Sequence, residues 1–131
     1  MRYLLDTGVW LWSQTRPERL GRKAVELLSE LPEDDAFFLS AVSSWEISIK
    51  FHLGKLPLPE PPALYIPARL NGLTPLPITH THALAAGELP FHHSDPFDRL
   101  LIAQARLEGM TLMTADRNFA KYDVAVLWCR S

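Results

Sequence analysis

Short apolar runs alternate with longer stretches of helical period along this chain, and no other feature constrains its fold as much. "RYLL", "AFFLS", "TPLPI", "TLMT" and "VAVLW" read as strands. Helical patterns lie between them, beginning near "GVWLWSQ". "RLGRKAVELLSEL" follows, with Leu20, Ala24 or Val25, Leu27, Leu28 and Leu31 on one face. "SSWEISIKFH" is ended by Gly54, and Pro67 keeps the weaker "ALYIPARL" from being long. Thr79 can cap "HALAAGEL", and "PFDRLLIAQARLEG" is the strongest pattern. Strands separated by helices imply an α/β fold, a mostly parallel sheet with both faces covered. The prolines of "TPLPI" place that strand at a sheet edge.

A length of 131 residues fits one domain, residues 1–131, with a single core. A net charge of −2 gives no general attraction to nucleic acid, so any such contact needs a local basic patch. The one cysteine, Cys129, excludes an internal disulfide framework, lies beside no motif and fits a reducing compartment. Asp6 interrupts the first apolar run, so we expect no signal peptide, and no run approaches the roughly 20 apolar residues of a membrane span. The expected location is cytoplasmic.

In an open α/β sheet, groups at the carboxyl ends of strands meet in one crevice. Asp6 ends the first strand and Asp116 the fourth; Glu46 lies in the helix after the second. Asp95 and Asp98 begin the helix leading into the fourth. Asp95 reads as an N-cap followed by Pro96 at the first helical position. Asp98 instead heads the apolar face formed by Leu101, Ile102 and Ala105, where a merely solvated carboxylate would be misplaced. Structural alternatives stand beside each acid. Glu46 can form a capping box with Ser43 or pair with Lys50. Asp6 can cap the next helix, and Asp116 can open a turn at "ADRN".

Two carboxylates about 6 Å apart repel by roughly 3 kcal/mol at an effective dielectric near 20. A cluster of them calls for protons or a cation, and oxygen-only ligation suits Mg²⁺ or Mn²⁺ acting on phosphate esters. The "DTG" at residues 6–8 also occurs in aspartic proteases. Those lobes are nearly all β, with the motif well inside, so helical patterns after residue 6 exclude that reading. A phosphoacceptor receiver domain would need an aspartate ending the third strand and a lysine ending the fifth. Thr79 and Trp128-Cys129 stand there instead.

"LLDTGVW", "SSWEISIK", "HHSDPFDRLLIAQA" and "LMTADRNF" resemble, in order and spacing, the four motifs of PIN-domain ribonucleases. The third is similar to that of VapC-type toxins of bacterial toxin–antitoxin pairs. The resemblance runs from residue 2 to about residue 128. It implies a PIN-like three-layer fold, with a five-stranded sheet in the order 3-2-1-4-5 covered by helices. It implies Asp6, Glu46, Asp98 and Asp116 as the catalytic acids. Asp6 and Asp98 would be direct ligands of Mg²⁺ or Mn²⁺, with Glu46 and Asp116 bound directly or through water. It further implies an endoribonuclease acting on RNA, a small cognate antitoxin as partner, and we expect a homodimer with no membrane partner. The alternatives are a metal-dependent nuclease or phosphoesterase outside toxin–antitoxin systems, or a catalytically idle RNA-binding module.

The histidines offer a competing Zn²⁺ reading through "HTH" at 80–82 and "HH" at 92–93. The barrel hydrolases that use such a motif need roughly 250 residues, and His80 and His82 are read as decorating a helix start. His93 and Arg99 are candidates for phosphate contact; Arg99 can alternatively pair with an acid. Arg16, Arg19, Arg22 and Lys23 form a basic stretch that either follows an RNA backbone or is a solvated face. Trp10, Trp12 and Trp45 are read as core residues, with base stacking as the alternative.

Overall fold

The computed structural model describes residues 1–130. Five strands form one parallel sheet in the order β3-β2-β1-β4-β5. They are β1 (Arg2–Leu5), β2 (Ala36–Ser40), β3 (Thr74–Leu76), β4 (Thr111–Thr114) and β5 (Val126–Trp128). The proline-bearing β3 lies at an edge, where a missing N–H breaks no ladder. Period-two alternation divides the core into two layers. Tyr3, Leu5, Phe37, Leu39 and Met113 face one cluster, while Leu4, Phe38 and Leu112 face the other.

The first cluster is closed by α1 (Thr7–Thr15), α2 (Arg22–Glu30) and α4 (Pro62–Ala68), through Val9, Trp10, Ala24, Leu27, Tyr65 and Ile66. The second is closed by α5 (His80–Glu88) and α6 (Pro96–Glu108), chiefly through Ala86, Leu101, Ile102 and Ala105. α3 (Ala41–His52) gives Ile47 to the first and Val42 to the second, so it straddles the sheet end. Helix, sheet and helix make the three expected layers.

Local chemistry explains the ends. Asp95 caps α6 by accepting from the amides of Phe97 and Asp98, Pro96 follows, and Gly109 ends the helix at φ 64°. Thr79 caps α5, where the His82 side chain completes a capping box. His82 thus belongs to the helix start, as expected, and is buried there with Nε2 2.9 Å from Glu108 Oε1.

The helix expected over residues 19–31 is shorter than its apolar period suggests. Pro17–Arg19 form a separate 3₁₀ turn, and Leu20 makes an antiparallel bridge to Arg130 before α2 begins. A Cβ on Gly21 would stand 2.8 Å from the Arg130 carbonyl oxygen, so this close approach requires glycine. Ala24, not Val25, takes the core position. Among the described residues no helix is long and apolar enough to cross a membrane.

Candidate active site

At the carboxyl end of the sheet, β1 delivers Asp6, whose amide still donates to the Met113 carbonyl of β4 at 2.9 Å. The Asp6 side chain does not cap α1; its Oδ2 accepts from Thr114 Oγ1 at 2.8 Å. The same Thr114 oxygen accepts from the Asp116 amide at 3.0 Å, tying the ends of β1 and β4 together. Burial pushes the Asp6 carboxyl up to about 6, and the charges of Glu46 and Asp116 add to it against the Thr114 hydrogen bond.

Asp116 opens a turn, its Oδ1 accepting from the Asn118 amide at 3.0 Å, which leaves Oδ2 3.8 Å from His93 Nε2. Asp98, on the first turn of α6, meets His93 Nε2 through Oδ2 at 2.7 Å. Burial, then the charges of Asp6 and Asp95, push Asp98 up to about 7 despite His93. His93, Asp98 and Asp116 each offer an atom within 4.8 Å of the others.

Glu46 rises from the second turn of α3, a helix capped by Ser40 rather than through Ser43. The pairing with Lys50 is present, Nζ donating to Oε2 at 2.6 Å, yet Oε1 is buried without a hydrogen-bond partner among the described residues. Burial lowers the Lys50 pKa, but the hydrogen bond and charge of Glu46, with Asp95 and Asp98 beyond, leave it raised overall. Thr7 and Ser43 hydrogen-bond at 2.8 Å, joining the segment after β1 to the start of α3. Asp6, Glu46, Asp98 and Asp116, with Lys50 and Lys55, line one crevice of about 430 Å³, and Asp95 reaches its wall.

The four acids picked from sequence thus share one crevice, and His93 reaches into the cluster. Arg99 does not. Its side chain is buried, and its two terminal nitrogens donate to the carbonyls of Ala86 and Leu89, each at 2.8 Å, and of Pro90 at 2.9 Å. Its expected phosphate contact is therefore corrected: Arg99 clamps the segment leading to His93. Trp45 is another correction, 54% exposed and edge-on to Phe97, because Val42, Ser43, Glu46 and Ile47 occupy the buried arc of α3. Trp10 is fully buried, as expected. Arg16, Arg19, Arg22 and Lys23 are exposed and line no part of the crevice.

Sequence reasoning missed Thr114 and Lys55. Thr114 carried a signal, since it ends β4 two residues before Asp116. Lys55 carried none, because only the turn after α3 brings it back. Cys129 is buried and its thiol is pushed up to about 12, by burial first and the Asp6 charge second. A thiol held so is no nucleophile.

A parallel three-layer α/β domain with carboxylates converging at the strand ends defines the class. The PIN domain family model matches residues 3–125, and the chain belongs to that family. It is 44% identical over 71 residues to Ribonuclease VapC16 of Mycobacterium tuberculosis, a match covering 51% of this chain and 50% of that protein. The chain thus spans about half the length of the curated relative it matches. Its fold is similar to the crystal structure of VapBC2 from Rickettsia felis bound to a promoter DNA fragment. There the TM-score is 0.77 at 17% identity, over 98% of this chain and 99% of that one. DNA-bound VapBC from Salmonella typhimurium is similar with a TM-score of 0.71 at 15% identity, covering 97% of each chain.

Proposed function

We propose that residues 1–131 form a single divalent-metal-dependent endoribonuclease domain, a cytoplasmic toxin that works as a homodimer and is silenced by a small cognate antitoxin. One observation carries the nuclease reading. Four acids from four separate segments line one crevice, and Glu46 Oε1 is buried there with no hydrogen-bond partner among the described residues. Burial first, and neighbouring carboxylates after it, push Asp6 and Asp98 up to about 6 and 7, so holding this cluster charged is costly. The donor set is hard oxygen, which fits Mg²⁺ or Mn²⁺. Kinship with a ribonuclease supports RNA as substrate, and a fold similar to that of a toxin–antitoxin complex from Klebsiella pneumoniae supports the antitoxin.

In this reading Asp6 and Asp98 would hold the ion, and Glu46 and Asp116 would complete its shell directly or through water. Bound there, the ion supplies Lewis-acid stabilisation of the charge developing on the phosphate and makes water a stronger nucleophile. The remaining carboxylate oxygens orient the attacking water and take up its proton. The water oxygen attacks phosphorus in line, one ester P–O bond breaks, and a proton returns to the leaving oxygen. His93, at the crevice beside Asp98 and Asp116, is assigned the phosphate contact.

Purified protein incubated with single-stranded RNA should cut it in Mn²⁺ or Mg²⁺ and leave it intact in chelator, as read by sequencing of the RNA ends. Intact RNA with both ions would overturn the nuclease reading. Expression in bacteria should arrest growth, and co-expression of the small protein from the adjacent gene should restore it. Cleavage in the tube without growth arrest would keep the nuclease and remove the toxin role.

A further inference from the structure

A second cavity, of about 530 Å³, opens beside the acidic crevice and shares Asp6, Gly8 and Asp116 with it. Its size falls in the range of about 300–1,000 Å³ usual for small-ligand clefts. Its own lining differs in chemistry, since Trp12, Arg117 and Arg130 join the shared acids there. The Arg117 side chain is exposed and makes no hydrogen bond or ion pair among the described residues. Trp12 is only half-buried, and it stands one turn after Gly8 on α1. The indole lines the cavity together with Gly8, and the Arg19 guanidinium lies over its ring, 5.6 Å from the centroid.

Gly8 is the saddle between the two cavities. A Cβ built there would meet nothing within 4 Å, so neither packing nor backbone conformation calls for glycine at this position. What glycine provides is a bare ridge between the acids and the indole. An aromatic platform, two cations and a low ridge leading to a phosphate-cleaving site match a single-stranded polynucleotide, whose unpaired bases stack on aromatic rings while cations follow the backbone.

We propose that the Trp12–Arg117–Arg130 cavity is a nucleotide subsite for the residue flanking the scissile phosphate. Its base stacks on Trp12, its outer phosphate meets Arg117 and Arg130, and the strand crosses Gly8 into the acidic crevice. This rests on the ribonuclease reading and adds the path of the substrate to it.

The test is binding of a fluorescently labelled single-stranded RNA decamer, followed by anisotropy in chelator, with single-turnover cleavage in Mn²⁺ alongside. Trp12→Ala should bind about tenfold more weakly, and Trp12→Phe should stay within about twofold of the unaltered protein. Arg117→Gln, an exposed change that leaves the core untouched, should weaken binding about threefold and flatten the log–log salt dependence by about 0.7. Gly8→Val should melt with the unaltered protein but cleave at least about tenfold more slowly. Arg106→Gln, in the last turn of α6, serves as the control and should change nothing. If the unaltered protein binds and cleaves RNA while Trp12→Ala and Arg117→Gln match it in affinity and salt slope, the subsite is overturned and the ribonuclease stands. If the unaltered protein neither binds nor cleaves the RNA, the ribonuclease reading falls and takes the subsite with it.

Discussion

Asp95 and Asp98 stand three residues apart, yet the first gives its carboxylate to the amides of Phe97 and Asp98 while the second meets His93 and the crevice. That division was legible in the sequence, because a Pro after Asp95 marks a helix start and an apolar face begins at Asp98. Asp98→Asn and Asp6→Asn should each reduce RNA cleavage at least a hundredfold, about 2.7 kcal/mol of barrier. Asp95→Asn should reduce it little, since asparagine caps a helix as well as aspartate does. A rate assay on the three variants checks this, and equal severe losses would erase the distinction between ligand and cap. Arg99 was not legible. Adjacent to Asp98 in sequence, it points 100° around the helix, and a helical wheel cannot report that three backbone carbonyls wait there.

Those carbonyls belong to the last turn of α5 and the segment just after it, and the way Arg99 holds them makes an element-scale prediction. The guanidinium donates to Ala86, Leu89 and Pro90, and Tyr122 Oη adds a bond to Pro90 and accepts from the His93 amide. Arg99→Met keeps the volume and strands the carbonyls, so urea unfolding should show a loss of about 3 kcal/mol or more. Arg106→Met, exposed on the same helix, should lose less than about 0.5 kcal/mol. Element type followed closely from the sequence wherever period and cap agreed, as for α6. The start of α2 did not, because Leu20 continues the apolar period while serving a bridge to Arg130. Periodicity records which side chains are buried; it does not record whether a helix or a chain crossing buries them.

Across the whole molecule, the parallel sheet was legible because strands and helices alternate, whereas the strand order came only with the family resemblance. Period-two burial alone leaves neighbour choice open: Leu4 and Leu5 would face opposite layers beside any partner. The order matters because it brings the ends of β1 and β4 together and gathers the acids. Asp6 and Asp98 are raised to about 6 and 7 from an ordinary 3.8, so the folded chain binds more protons than the unfolded one between about pH 4 and 7. Stability in chelator should therefore fall as pH rises through that window, followed by thermal melts at constant ionic strength. The central claim, that the crevice is built for a cation, is tested most directly by melting the unaltered protein and Asp98→Asn side by side. In chelator at pH 8 the variant should melt higher, because one charge leaves a self-repelling cluster, and at pH 4 the two should coincide. Mn²⁺ at ten times its dissociation constant should stabilise the unaltered protein by about 1.4 kcal/mol and the variant far less. A variant that melts at or below the unaltered protein at pH 8, with both responding alike to Mn²⁺, would contradict the account.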